Sequence, residues 1–335
     1  MAKIALFEVN EKDKAYVKAK LKPHRLIFFE KPINNKDLKK IKDVEALVVF
    51  TFSQVNKYVL NALPVLKFIA TMSTGFDHID LEECKKRNII VSNVPSYGER
   101  TVAEHAFALI LTITKNILQA ATRTKSGDFR LDGLLGADLN GKTIGLVGCG
   151  NIGKNVAKIA RGFDMNVLVY DVIHDDSLAN SVGFKYASME DVLKNSDFIS
   201  LHVPYNKHTH HLINKKNIRL IKKRAVLINT SRGGVIDTEA LICALDKKIL
   251  YAVGLDVLEN ECFILKDRDM LSKEFKKSRG LKKLTANAKL IKRENVLITP
   301  HSAFYTKEAL DRILNTTLEN VLSFINGKIV NEVKL

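Results

Sequence analysis

Three ionisable residues, Arg232, Glu261 and His301, each stand a few positions beyond an apolar run, in the stretches NTSRGG (229–234), GLDVLENE (254–261) and TPHSAFYT (299–306). Together these residue types can reduce a carbonyl. Histidine, with an unperturbed pKa of about 6.5, exchanges a proton near neutral pH. A carboxylate partner holds the ring and favours the imidazolium form. The planar guanidinium grips a substrate carboxylate with two parallel hydrogen bonds and polarises the carbonyl beside it. By type alone each has a plainer reading. His301 is one of nine histidines, an arginine in SRGG suits an ion pair or helix cap, and Glu261 suits a solvated acid. His208, His210 and His211 read as surface loop residues.

Carbonyl reduction needs a hydride carrier, and residues 142–171 specify one. The β-branched run 144–147 leads into Gly148, Gly150 and Gly153, with Asn151 and Ile152 completing a G-x-G-x-x-G spacing. Gly148 permits the tight turn out of the strand, Gly150 lets backbone approach a pyrophosphate, and Gly153 lets the new helix pack on the sheet. The helix N-terminus offers N–H groups to phosphates. Eighteen residues after Gly153, Asp171 ends the next apolar run, where a carboxylate can hold the ribose hydroxyls. Glycines alone are weak evidence; the strand, the helix and the acid at the right distance agree with them. The carboxylate repels a 2′-phosphate, and residues 172–176 contain no arginine to receive one. NAD is expected rather than NADP.

The elements that must position these groups alternate. Short strands are expected at 4–9, 26–29, 46–50, 68–71 and 89–91, and later at 166–170, 197–203, 225–229, 251–257 and 296–298, with helical stretches between them. That rhythm is a parallel α/β arrangement. Its loops at the strand C-terminal ends are candidate site loops, including 73–77 and 93–97. Apolar residues spaced by three and four predict one long helix over 99–125, suited to a core, a domain link or a subunit interface. The stretch 307–335 reads as helical to about Gly327 and as returning to the first domain. The expected organisation is a discontinuous domain, 1–98 with 303–335, and a second domain, 99–302.

At 335 residues, 46% hydrophobic and 27% charged, the chain reads as a soluble globular protein with room for two domains. No apolar run approaches the roughly 20 residues needed to span a membrane, and none resembles a signal peptide. Cys84, Cys149, Cys243 and Cys262 lack C-x-x-C spacing, which suggests neither a metal site nor a disulfide framework and fits a reduced, cytoplasmic setting. The net charge is +16, and residues 264–293 hold 11 basic and 3 acidic residues, half of that excess. No recognition motif accompanies them, so a solvated amphipathic insertion is expected, with Leu271, Phe275, Leu281, Leu284 and Leu290 turned inward, and no nucleic-acid binding.

The ordered stretches STGFDHID (73–80), VPSYGERTVAEHAFAL (94–109), the glycine turn, HVP (202–204), NTSRGGVIDTEAL (229–241), GLDVLENE and TPHSAFYT together resemble the D-isomer-specific 2-hydroxyacid dehydrogenase family, the D-lactate dehydrogenase branch most. The resemblance covers nearly the whole chain. It implies an α/β fold of two Rossmann-like domains, a flavodoxin-like catalytic domain and an NAD-binding domain, around a cleft. It also implies a homodimer formed through the helix starting near Glu99. Arg232, Glu261 and His301 fall on the family's catalytic arginine, glutamate and histidine. Backbone near Thr74 and Gly75 is expected to receive the substrate carboxylate, and Tyr97 to line the pocket. Asp256 is expected to bond the nicotinamide carboxamide, with Val203, Pro204 and Thr230 nearby. Apart from the resemblance, Phe50 and Phe52, at the end of the third strand (46–50), are expected to border the pocket and restrict bulk. Pyruvate and D-lactate are the favoured pair. Glyoxylate, hydroxypyruvate, a branched or an aromatic 2-oxoacid are the alternatives, and an NAD-sensing corepressor-like binding protein is the rival from another class.

Overall fold

The computed structural model describes residues 1–259 and 286–334. Glu261 and most of the basic segment 264–293 therefore lie outside the described residues. The chain divides into two units, Met1–Tyr97 with Thr306–Leu335, and Gly98–Tyr305.

The first unit holds β1 (Lys3–Leu6), β2 (Arg25–Phe28), β3 (Ala46–Val49), β4 (Phe68–Thr71) and β5 (Ile90–Ser92). Neighbouring strands pair in parallel in the order β2-β1-β3-β4-β5. Every residue of β3 and β4 is buried, as uninterrupted apolar strands in a parallel sheet covered on both faces require. The helix Lys307–Ile325 belongs to this unit. Phe324 near its end stacks on Phe68 with ring centroids 4.5 Å apart. Its buried Asn320 donates to the Asn93 carbonyl at 2.8 Å and accepts from Asn331 at 2.8 Å.

The second unit holds β6 (Thr143–Val147), β7 (Asn166–Tyr170), β8 (Lys185–Tyr186), β9 (Phe198–Leu201), β10 (Ala225–Asn229), β11 (Leu250–Leu255) and β12 (Val296–Ile298). They form a parallel sheet ordered β12-β11-β10-β9-β6-β7-β8. One core joins Val147, Leu201, Leu227 and Val253 to Val192 and Leu193 of the helix Met189–Asn195 and to Ala240 and Leu241 of the helix Thr238–Asp246. A second joins Leu146, Val169 and Ile228 to the helices Glu99–Thr114 and Asn151–Gly162. The edge strand β8 escapes sequence reading because two residues show no periodicity.

The helix expected over 99–125 is two helices, Glu99–Thr114 and Ile117–Lys125. Asn116 between them takes a left-handed conformation (φ 50°), and its side-chain amide donates to the carbonyls of Leu134 and Leu135, each at 3.2 Å. Asparagine tolerates this backbone better than most residues, so the i, i+4 ladder stops there. The first helix buries Val102, Ala106, Leu109 and Ile110 in its own unit, whereas the second buries nothing. Among the described residues, no helix is long and apolar enough to cross a membrane.

Candidate active site

Strand order reverses between β6 and β9, the switch point at which open α/β sheets open a crevice for ligands. Gly148 leaves β6 with φ 96°, and a Cβ there would sit 2.6 Å from the His202 carbonyl at the end of β9. Gly153, in the first turn of the next helix, would put a Cβ 2.2 Å from the Gly148 carbonyl. The helix and turn can therefore close on each other only without side chains. A Cβ on Gly150 would meet nothing within 4 Å, which leaves open space at the helix N-terminus where a phosphate would sit. Asn151 is exposed and Ile152 half-buried beside it.

Asp171 follows β7. Its Oδ2 accepts from the Cys149 amide at 2.6 Å and its Oδ1 from the Ile173 amide at 3.0 Å. A carboxylate has about four acceptor positions, so ribose hydroxyls still find partners on it. Val172 and Ile173 are exposed and apolar, consistent with a site that offers a 2′-phosphate no cation. These residues fit NAD.

At the end of β9, His202 pairs through Nε2 with Ser200 Oγ at 2.8 Å, while its Nδ1 is shut off from water with no hydrogen-bond partner among the described residues. Desolvation pushes its pKa down to about 3, so the imidazole is neutral. Val203 is half-buried and Pro204 exposed. Thr230, at the end of β10, is buried, and its Oγ1 also has no partner among the described residues.

Three adjacent parallel strands carry the catalytic candidates. Asn229 of β10 pairs with Leu255 of β11, and Leu255 with Ile298 of β12. Arg232, Asp256 and His301 follow these aligned ends by three, one and three residues, on one sheet edge. The side chain of Asn229, 1% exposed, shapes the arginine turn: it accepts from the Ser231 amide and hydroxyl at 3.0 and 2.8 Å and donates to the Arg232 carbonyl at 3.0 Å. Arg232 itself is half-buried, with Nη1 donating to the Ser231 carbonyl at 2.9 Å. A Cβ on Gly233 would fall 2.0 Å from the Leu258 carbonyl carbon, so SRGG lets this turn press on the backbone that leads towards Glu261. Glu259 fastens the contact. Its carboxylate accepts from Thr238 Oγ1 at 2.9 Å and pairs with His211 Nε2 at 3.1 Å. His211 is thus part of the site's scaffold and not a surface residue as its position in sequence suggests.

His301 is half-buried, with φ 54°, and its amide donates to the carbonyls of Asp256 and Thr299, both at 2.9 Å. Its ring lies edge-on to Phe304, at 6.4 Å and 82°. The Asp256 carboxylate holds this loop: Oδ1 accepts from Thr299 Oγ1 at 2.5 Å and the Ser302 amide at 2.8 Å, and Oδ2 accepts from the Ala303 amide at 2.9 Å. Because Thr299 Oγ1 donates to the carboxylate, it accepts from His105 Nε2, 3.0 Å away. Asp256 therefore builds the histidine loop in addition to the cofactor contact expected of it, for which Oδ2 keeps an acceptor position. Asn229, Glu259, His105 and Thr299 were not singled out from sequence; only their adjacency to motif residues hints at them.

In the first unit, the turn after β4 is braced by hydroxyls. Thr71 Oγ1 meets Ser73 Oγ at 2.7 Å and His78 Nε2 at 3.1 Å, Ser73 Oγ donates to the Gly75 carbonyl at 2.6 Å, and Thr74 Oγ1 donates to the Val94 carbonyl at 2.8 Å. No carbonyl among the described residues accepts from the amides of Thr74 and Gly75, which leaves those donors for an anion. Tyr97 is half-buried, and its carbonyl accepts from Arg312 Nε at 2.6 Å.

Residues 107–303 match the profile of the D-isomer specific 2-hydroxyacid dehydrogenase, NAD binding domain. A glyoxylate reductase of Thermococcus litoralis is 38% identical over 299 residues, covering 87% of this chain and 84% of that one. A 2-hydroxyacid dehydrogenase homolog of Haemophilus influenzae is 33% identical over 99% of both chains. Among solved structures, D-lactate dehydrogenase from Aquifex aeolicus, complexed with NAD and lactic acid, superposes with a TM-score of 0.87 at 38% identity, over 97% of this chain and 96% of that one. With the glycine turn, the ribose acid and the aligned strand ends in place, the chain belongs to the D-isomer-specific 2-hydroxyacid dehydrogenase family, oxidoreductases that use NAD.

Proposed function

We propose that the protein reduces a small 2-oxoacid to the D-2-hydroxyacid, and runs the reverse, with pyruvate and D-lactate as the favoured pair. The observation that carries this reading is the register Asn229, Leu255, Ile298, which delivers Arg232 and His301 to the C-terminal edge of the sheet that carries the NAD turn. Solved relatives named D-lactate dehydrogenase favour lactate. Relatives named glyoxylate reductase make glyoxylate the second reading.

Gly148, Gly150, Asn151, Ile152, Gly153 and Asp171 hold the dinucleotide, with Val203, Pro204, Thr230 and Asp256 towards its nicotinamide end. When bound, NADH supplies the hydride that adds to the carbonyl carbon. In the second unit Arg232 binds the substrate carboxylate; in the first unit the free amides of Thr74 and Gly75 suit an anion, and Tyr97 suits a pocket wall. His301 gives a proton to the carbonyl oxygen, and in the reverse direction removes it from the hydroxyl. Glu261 is the carboxylate that favours its imidazolium form.

A homodimer is supported by an exposed apolar stretch, Ile117, Leu118, Phe129, Leu131 and Leu135, the last 93% exposed. The thiols of Cys84, Cys149 and Cys243 are free, which supports a reduced, cytoplasmic setting.

The test is NADH oxidation with pyruvate, glyoxylate, hydroxypyruvate, 2-oxoisocaproate and phenylpyruvate, repeated with NADPH and with His301→Gln. Fast pyruvate turnover with NADH alone, lowered roughly 10² to 10⁴-fold by His301→Gln, is expected. Bound NADH without turnover on any acid refutes the enzymatic reading in favour of a cofactor-sensing protein.

A further inference from the structure

In the first unit, strand order reverses between β1 and β3. By the rule that places the cofactor at β6 and β9, the C-terminal ends of β1 and β3 should flank a ligand crevice. Here a half-buried acid stands at it. Glu8, two residues past β1, takes a left-handed backbone (φ 60°) that is unfavourable for a side chain of its size. Its Oε2 accepts from the Phe50 amide at 3.1 Å and from the Ser53 hydroxyl, and its Oε1 from the Phe52 amide at 3.3 Å. Ser53, 0% exposed, in turn accepts from the Ile33 amide at 3.1 Å. One carboxylate thus ties the loop after β3 to the ends of β1 and β2.

What this loop carries is an aromatic pair. Phe50 is half-buried and Phe52 is 38% exposed, their rings edge-to-face at 6.3 Å and 88°. The loop also adjoins the turn with the two free amides, because β3 and β4 are parallel neighbours with Val49 opposite Thr71. An acid whose carboxylate sits on the amides of Thr74 and Gly75 would extend its remaining substituent beside this pair. Three donors held by a single carboxylate make the loop stiff. A stiff wall separates a methyl group from a larger substituent, whereas a yielding one does not.

We propose that Glu8 is a positioning residue: by fixing Phe50 and Phe52, the pair already expected to border the pocket, as a rigid wall, it sets how strictly the enzyme limits the size of the 2-oxoacid side chain. The inference rests on the 2-oxoacid reductase reading of the site. No hydrogen bond described for Glu8 reaches Arg232 or His301, so it acts through the loop.

The test compares kcat/KM for phenylpyruvate and for pyruvate in the wild type, Glu8→Gly, Glu8→Gln and Phe52→Ala, with NADH affinity measured by fluorescence. Glycine suits the left-handed backbone and removes only the acceptor, so Glu8→Gly should raise the phenylpyruvate-to-pyruvate ratio at least tenfold, as Phe52→Ala should. Glu8→Gln keeps one oxygen for Phe50 and Ser53 but turns an amide donor towards the Phe52 amide, so it should raise the ratio about threefold even where Glu8→Gly does not fold. NADH affinity should stay within twofold throughout, a pattern that general destabilisation would not produce. An active wild type whose ratio is unmoved by both Glu8 variants overturns the inference alone. A wild type inert towards every 2-oxoacid overturns the reductase reading, and the inference with it.

Discussion

Replacing Asp256 should disable the enzyme by releasing the histidine loop. The carboxylate is 2% exposed and accepts from two backbone amides, Ser302 and Ala303, and from the Thr299 hydroxyl. In Asp256→Ala the hydroxyl can turn away, but the two amides cannot. At about 1–3 kcal/mol for each buried donor left without a partner, with water satisfying some of the loss, the second unit should lose about 2–4 kcal/mol. Asp256→Asn keeps one oxygen for Thr299 and Ser302 and sets its NH₂ against the Ala303 amide, so about half that loss is expected. His301 holds its left-handed backbone between these bonds, and a displacement of about 1 Å costs on the order of 10² in rate. Both variants should therefore lower kcat at saturating NADH by roughly 10²-fold, alongside a lower urea midpoint. A carboxylate acting only on the nicotinamide would instead weaken NADH binding and leave the urea midpoint unchanged. An Asp256→Asn enzyme with wild-type kcat and wild-type stability refutes the argument.

Gly153→Ala should weaken NADH binding at least tenfold in a fluorescence titration, because its Cβ would lie 2.2 Å from the Gly148 carbonyl; overpacking of this kind costs about 1–3 kcal/mol. His202 gives a pH dependence with a definite sign. Its folded-state pKa lies near 3, below the unfolded value of 6.5, so its neutral form stabilises the fold fully above pH 6.5 and that contribution fades as pH falls towards 3. At pH 5 the loss is about 2 kcal/mol, at 1.36 kcal/mol per unit. Urea unfolding of wild type and His202→Gln at pH 7 and pH 5 measures it, since glutamine cannot take the proton. Replacing Leu131 and Leu135, 82% and 93% exposed, with aspartate should yield monomers by light scattering if the stretch they belong to is the subunit interface.

Much of the local architecture was legible in the chain. The strands 68–71, 166–170, 225–229 and 296–298 are found where apolar runs placed them, because a strand buried on both faces must be apolar throughout. The glycine turn was legible for a related reason: a close backbone approach admits a single residue type. The break at Asn116 was not, since it depends on side-chain bonds to carbonyls that arrive 18 and 19 residues later.

Sequence by itself determined the α/β alternation, the glycine turn with its ribose acid, and the residue types at the strand ends, all of which are local patterns of apolarity, glycine and charge. Tertiary structure decided which of those ends stand side by side. Arg232 and His301 lie 69 residues apart, and only the pairing of β10, β11 and β12 brings them to one edge. It also decided which acids became scaffold. Glu8, Asp256 and Glu259 are ordinary carboxylates in a row of letters, and each becomes a fastening because burial makes an unpaired amide or hydroxyl costly and supplies the carboxylate as its acceptor.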